Sequence, residues 1–245
     1  MNRYYYDFHI HSCLSPCADN DMTPSNIAGM ATLAGLDIVA LTDHNTAKNC
    51  PAFFEAAKQN GIIAIAGMEL TTMEDIHIVC LFEELSEALA FSEAVDKRRI
   101  RIKNRTDIFC DQLIVDAEDN VIGTEDYLLS NATDISYDEV PSLVEEFNGV
   151  CFPAHVDRQA NGVIATLGTL PKFPDFACAE FYDDVKIGEY TEKYPILKEK
   201  LLTLGSDAHY LWDIRDKSAY FELDDEPYSS SKVRSSLFKV LRCGK

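Results

Sequence analysis

The residues able to do chemistry form an ordered series. The six histidines are His9, His11, His44, His77, His155 and His209. Each lies in or just beyond a short apolar run, and most have a carboxylate close by. His9-Ile10-His11 is the sharpest piece, because residues two apart on an extended strand share a face and both imidazoles can reach one ion. Leu36–Leu41 runs into Thr42-Asp43-His44-Asn45, Ile62–Ala66 into Gly67-Met68-Glu69, and Cys151–Ala154 into His155, with Asp157 and Arg158 just after. Leu201–Gly205 runs into Ser206-Asp207-Ala208-His209. A lone histidine is ordinarily a satisfied core or surface residue; the ordered combination points to a metal centre. Mixed nitrogen and oxygen donors suit Zn, Mn or Fe alike. A cluster of such ions lowers the pKa of bound water to give hydroxide at neutral pH, and it neutralises phosphoryl oxygens as charge builds. Asp43 fits as an acceptor behind the metal, orienting His44 or a metal water. Arg158 is placed to meet a phosphate with its planar fork, the alternative being an exposed ion pair. Arg215 is a poorer candidate of the same kind. The proton for a leaving group can come from His209, from an acid such as Asp19, or from water.

The elements that must position these groups alternate between apolar runs and helical patterns, an α/β layout. Tyr4–Ile10 is a strand candidate. Thr23 caps a helix with Pro24 at its first position and Gly35 at its end. Leu36–Leu41 is a buried strand, Ala52–Gln59 a helix stopped by Asn60-Gly61, and Ile62–Ala66 and Ile76–Phe82 are further strands. A helical run from Ser86 leads into KRRIRIKNR (97–105). That run is a nucleic-acid patch or a solvated helix face, and the absence of an interleaved aromatic favours the second. Gln112–Val115 and Val121–Ile122 flank a turn and predict a hairpin on an insertion. Ser136–Phe147 is a helix with Ser136 and Glu139 at capping-box spacing. Gly149–Pro153, Ala177–Phe181 and Leu201–Leu204 are strands, and Ser229–Leu241 is a terminal helix.

On Asp7-Phe8-His9-Ile10-His11, Leu41-Thr42-Asp43-His44, Gly67-Met68-Glu69, His77, Pro153-Ala154-His155 and Gly205-Ser206-Asp207-Ala208-His209, the sequence resembles the polymerase and histidinol phosphatase (PHP) family over most of its length. The resemblance implies a distorted (β/α)7 TIM-like barrel, here spanning 1–245 as one domain with an insertion at about 100–135. It implies two or three divalent ions at the strand ends. His9, His11, Glu69 and Asp207 would hold the first, and Glu69 would bridge to a second that takes His77 and His155. His44 and His209 would bind a third with an early acidic residue. That acid departs from the family pattern, since Ser15 is followed by Pro16-Cys17-Ala18-Asp19 as if three residues were inserted. Asp19 is the candidate and Asp21 the reserve. Cys17 is a substitute ligand or, more in keeping with cysteine usage, a buried structural thiol.

Composition narrows the function classes. The apolar fraction is 47%, enough for a sizeable core, and 22 basic against 41 acidic residues give a net charge of -19. Such a chain repels nucleic acid and anionic membranes unless local cations intervene, and bound metal is such a cation. No apolar stretch is long enough to span a membrane, the N-terminus has no signal core, and the eight cysteines contain no CxxC pair. The chain therefore reads as cytoplasmic, and nothing in it sets an oligomeric state. The reading that follows is a metal-dependent phosphoesterase cleaving a small phosphomonoester, such as a nucleotide, by a metal-bridging hydroxide. The alternatives are a 5'-end exonuclease on short oligonucleotides, a non-phosphate metal hydrolase, and a non-catalytic module stabilised by metal.

Overall fold

The computed structural model describes residues 2–223 and 229–244. Strands β1 (Asn2–Ile10), β2 (Ile38–Leu41) and β3 (Ile63–Thr71) lie side by side and parallel, joined by α1 (Pro24–Leu33) and α2 (Cys50–Asn60). The first helix begins and the second ends as the sequence dictates, while α2 starts two residues earlier than the expected Ala52. The Thr23 side chain accepts from Asn26 N ahead of Pro24, and Gly61 closes α2 at φ 74°, a left-handed conformation that a Cβ would strain. The next strand, β4 (His77–Phe82), breaks the alternation. A tight turn, with Thr72 N donating to Ile76 O and Asp75 at φ 63°, sends it back antiparallel to β3, from Ala66↔Phe82 to Thr71↔His77. After α3 (Leu85–Asp96), the hairpin β5 (Leu113–Val115) and β6 (Val121–Thr124), and α4 (Val140–Glu145), strand β7 (Val150–Pro153) pairs antiparallel with β4.

The ring is completed by β8 (Cys178–Phe181) and β9 (Leu201–Leu204), a parallel pair flanked by α5 (Val163–Leu167) and α6 (Ile187–Lys193). Val156 N donates to Glu180 O at 2.8 Å, tying β7 to β8, and His11 N donates to Ala208 O at 3.0 Å, tying the end of β9 back to β1. Seven strands, β1–β4 and β7–β9, thus close a distorted TIM-like barrel. Closure is uneven because β10 (Tyr220–Leu223) occupies the edge of the first half of β1, where β9 would otherwise lie.

Two apolar layers follow from strand alternation. Ile38 and Ala40 face an inner cluster with Tyr4, Tyr6 and Phe8, into which α7 (Ser230–Cys243) inserts Val233, Leu237 and Phe238. Val39 and Leu41 face the outer cluster under α1 and α2. Strand β1 changes phase partway along. Its register to β2 slips between Asp7 and Ile10, so three residues on β1 span two on β2. As a result Ile10 joins the outer layer although Phe8 belongs to the inner one, as a β-bulge requires. The bulge turns His9 and His11 inward together.

Residues 97–135 correct two expectations. The KRRIRIKNR run is neither a helix face nor a free basic patch, because α3 ends at Asp96 and four of the arginines are engaged. Arg98 pairs with Asp134 and Glu139, Arg99 with Asp96 and Glu125, Arg101 with Asp96 and Arg105 with Asp107. Arg99 also donates to Tyr127 O at 2.9 Å. These contacts staple the root of the segment. The hairpin β5–β6 forms as expected and docks on the loops after β1 and β2: Leu113 N donates to Cys13 O, Cys110 N to Pro16 O, and Val115 N to the Asn49 side chain. The second correction is the capping box at Ser136 and Glu139. Helix α4 starts only at Val140, after a turn closed by Glu139 N on Ser136 O, and the Glu139 carboxylate pairs with Arg98. Among the described residues no helix is long and apolar enough to cross a membrane.

The Arg99 side chain is 2% exposed, so its removal empties a buried place, leaves Tyr127 O without its donor and leaves the buried Glu125 carboxylate to Lys48 alone. Arg99→Ala is expected to cost about 3 kcal/mol in urea unfolding. Arg105→Ala, whose pair lies in solvent, should leave the midpoint unchanged.

Candidate metal centre

Glu69 lies on β3 and is completely buried. Its Oε1 is 2.7 Å from His77 Nδ1 and 3.1 Å from both His9 Nε2 and His155 Nε2. Its Oε2 is 3.1 Å from His44 Nδ1 and 3.3 Å from His11 Nε2. Five imidazoles from four segments of the chain therefore surround one carboxylate. His11, His44 and His155 follow β1, β2 and β7 at their carboxyl ends. His77 arrives differently: it opens β4, and only the reversal of that strand brings its first residue to the same rim.

Hydrogen bonds aim the rings. The His9 Nδ1–H donates to Glu180 Oε1 at 2.7 Å, His11 Nδ1–H to Ser15 Oγ at 2.9 Å and His209 Nδ1–H to the Asp207 carbonyl at 2.7 Å. Each bond leaves the Nε2 lone pair directed into the centre, as partners behind a metal-binding histidine do. Ser15 donates its own proton to Asp43 Oδ1 at 2.7 Å, and Ser12 supplies Asp43 with both N–H and O–H. The Asp43 carboxylate is thus engaged by two serines. Through Ser15 it steadies His11 and the His44 backbone N–H, rather than the His44 ring.

Three groups offer donor atoms mutually within 4.8 Å: His9, His11, Glu69 and Asp207; His44, Glu69 and His77; and His11, His44 and His209. His155 stands at the second group through its contact with Glu69 Oε1. The donor set fits divalent ions on a direct observation. His9 Nε2, His44 Nδ1 and Glu69 Oε2 are buried without a hydrogen-bond partner. Lone pairs of neutral imidazoles facing carboxylate oxygens at about 3 Å repel unless a cation or a proton lies between them.

Charge follows the same logic. Burial alone would lower the His9 and His11 pKa values, but carboxylates outweigh it. Glu180 and Glu69 hold His9 well above 6.5, and Asp207 and Glu69 raise His11 to about 9. Burial, reinforced by neighbouring imidazoles, drives His44 well below 6.5 and His209 to about 4. Glu69 and Asp207 stay ionised because the surrounding histidines overcome their desolvation. Asp207 adopts φ 50° and His155 φ 28°, left-handed backbone held at the centre of the site.

Arg158 binds Asp207 Oδ2 through Nη1, and its guanidinium lies 4.7 Å from the Tyr182 ring centroid. Arg215 covers Tyr182 as well, at 4.5 Å. Both arginines thus reach one aromatic at the rim. The Asp19 carboxylate closes its own turn by accepting from Asp21 N at 2.8 Å, and Asp21 falls in none of the three groups. The Cys17 residue is exposed rather than buried, and its sulfur lies 3.2 Å from His44 Nε2 and 3.1 Å from His209 Nε2.

Glu180 is the functional residue that the sequence reading passed over. It is buried, holds His9 through Nδ1 and accepts from His155 N at 3.2 Å. The signal was an acid inside the apolar run Ala177–Phe181. Gly205 makes room for it, since a Cβ there would press into the Glu180 carboxylate and come within 2.8 Å of the His9 Cβ.

The family profile described as PHP domain matches residues 7–146. A 5'-3' exoribonuclease of Haemophilus influenzae is 37% identical over 79 residues, which is 31% of this chain and 28% of that protein. The chain spans 58% and 28% of the lengths of the curated relatives it matches. The lesion-specific endonuclease PfuEndoQ from Pyrococcus furiosus superposes with a TM-score of 0.61 at 17% identity, covering 98% of this chain and 56% of that one. A protein from Bifidobacterium adolescentis described as a metal-dependent phosphoesterase superposes with a TM-score of 0.57 at 17% identity, covering 95% of each chain. These structural likenesses establish the fold.

Three outcomes test the centre. In metal-free protein the protons on His9 and His11 must leave when an ion enters, so loading zinc at pH 7 is expected to release at least two protons per chain, read with an indicator in weak buffer. With no metal, the raised His11 pKa contributes stability that is fully present below pH 6.5 and is lost as pH rises through about 9. Metal-free protein should therefore weaken over that window, and chelator-free holoprotein should not. Glu180→Ala removes no proposed ligand, yet it should lower metal affinity by about 10–100-fold in competition with a chelating dye.

Proposed function

The chain belongs to the PHP domain family, and on that premise we propose that it is a metal-dependent hydrolase of phosphate esters. One observation carries the reading: a single buried carboxylate, Glu69, is shared by donor groups that include five histidines and lie beside an arginine at the cleft mouth. In this reading His9, His11, Glu69 and Asp207 hold one ion; Glu69, His77 and His155, with His44, hold a second. His44 and His209 serve a third. The identity of the ions is proposed as Zn, Mn or Fe. When bound, they acidify coordinated water and neutralise phosphoryl oxygens. The chain's own residues do the rest. Glu180 and Ser15 fix the tautomers of His9 and His11, and Asp43 holds Ser15. Arg158 keeps donors open beyond its bond to Asp207, since its side chain is 41% exposed, and grips a phosphate oxygen. Residues 100–135 are an insertion that braces the rim loops of one barrel.

The substrate proposed first is a small phosphomonoester. The 5' end of a short oligonucleotide is favoured by a separate feature: Tyr210 and Trp212, just past His209, stack at 4.9 Å and 14°, and Trp212 is 75% exposed. Such a face accepts any base. The exoribonuclease named above is consistent with this second reading. The basic run is not, because its arginines are engaged elsewhere.

Protein loaded with Mn, Zn or Fe is to be assayed on a chromogenic phosphomonoester and on a 5'-phosphorylated oligonucleotide. Elemental analysis should show Glu69→Ala losing bound metal together with turnover. Turnover retained in that variant overturns the proposal. Arg158→Ala should raise KM about tenfold or more for either substrate. If the oligonucleotide is the substrate, Trp212→Ala lowers its kcat/KM about tenfold and spares the small ester. An equal effect on both refutes the stacking role.

A further inference from the structure

The loop after β1 carries a cysteine, Cys17, whose place is fixed from both sides. Ser15 Oγ accepts from His44 N at 3.2 Å, and Asp19 N donates to His209 O at 3.0 Å, so the segment between them is anchored to the two histidines it faces. The turn is closed by Ala18 N on Ser15 O, and the insertion braces it through Cys110 N on Pro16 O at 2.9 Å. Within that frame the Cys17 sulfur lies 3.1 Å from His209 Nε2 and 3.2 Å from His44 Nε2. His209 has already committed its Nδ1 proton to the Asp207 carbonyl, so its Nε2 presents a lone pair. The nearest acid in the chain, Asp19, is occupied by Asp21 N.

We propose that Cys17 is a metal ligand, its sulfur forming with His44 Nε2 and His209 Nε2 an N2S site for a thiophilic divalent ion at the mouth of the cleft. The inference rests on the reading of the histidine cluster as a metal centre and adds a ligand that reading does not contain. Three protein ligands leave a fourth position open, and the exposure of Cys17 turns that position toward the cleft. A thiolate selects among ions where carboxylates and imidazoles do not. It favours zinc and cadmium over manganese, so this site and the Glu69 sites differ in preference within one cluster.

The wild-type protein carries its own control, because Cys17 and Cys243 are its two exposed cysteines. Metal-free protein is to be alkylated with iodoacetamide, alone or with Zn or Mn, and each peptide followed by mass spectrometry. Zinc should slow modification of Cys17 at least ~10-fold, leave Cys243 unaffected and protect far better than manganese. Cadmium titration should give a thiolate charge-transfer absorption that is absent in Cys17→Ala, and that variant should bind one zinc fewer. Cys17→Asp should restore the missing equivalent with manganese. Cys17 alkylated at one rate with and without zinc, in a protein that binds zinc, overturns this ligand assignment and leaves the wider metal reading standing. A wild-type protein that takes up no transition metal removes both.

Discussion

Much of the site answers to the desolvation of one carboxylate. Glu69 is ionised without access to water, a condition that burial alone would forbid. It is met by ringing the carboxylate with imidazoles, and two of these, His9 and His11, have their far nitrogens tied to Glu180 and Ser15. The consequence spreads outward. Glu180 needs Gly205 beside it, Ser15 needs Asp43, and Asp43 needs Ser12. A polar network this deep is stable only when every member is satisfied. The unpaired His9 Nε2, His44 Nδ1 and Glu69 Oε2 mark where a cation or a proton completes the network.

The barrel is shaped around that requirement more than around its own regularity. A uniform run of parallel strands would deliver side chains from carboxyl ends alone. Here β4 is reversed, so a residue that opens a strand reaches the same rim as residues that close their neighbours. The uneven closure at β1, with β10 on one half and Ala208 on the other, leaves the second half of β1 free to meet the loop carrying Asp207. The irregularities and the chemistry occupy the same places.

How much of this was legible in the chain depends on range. His9, His11, His44, His77, Glu69, His155, Asp207 and His209 announce themselves because imidazoles and carboxylates punctuating apolar runs are rare by accident. Helix starts at Thr23-Pro24 and stops at Gly61 are local chemistry and appear where expected. What escaped is set by partners far away in sequence. The basic run cannot be told from a solvated face until Asp134 and Glu139 come to Arg98. Glu180 looks like an exception in a strand until His9, 171 residues away, is placed against it. Cys17 looks like any buried thiol until two histidines from opposite ends of the chain close on it.

The bulge in β1 sets a rule about length. Phe8 packs inward and Ile10 outward only because one extra residue sits between the Asp7 and Ile10 pairings. Were the same residues to pair with β2 without the bulge, the alternation would run on unbroken: the aromatic side would stay inside, and the two imidazoles would rotate into the oily layer beneath α1 and α2. Segment 7–11 is thus counted out to the residue, whereas the tip of the β5–β6 hairpin, where Asp119 accepts from Thr23 and Ser25 at the start of α1, sets no strand phase by its length. Indels, rather than substitutions, discriminate the parts of this chain that carry the centre from the parts that frame it.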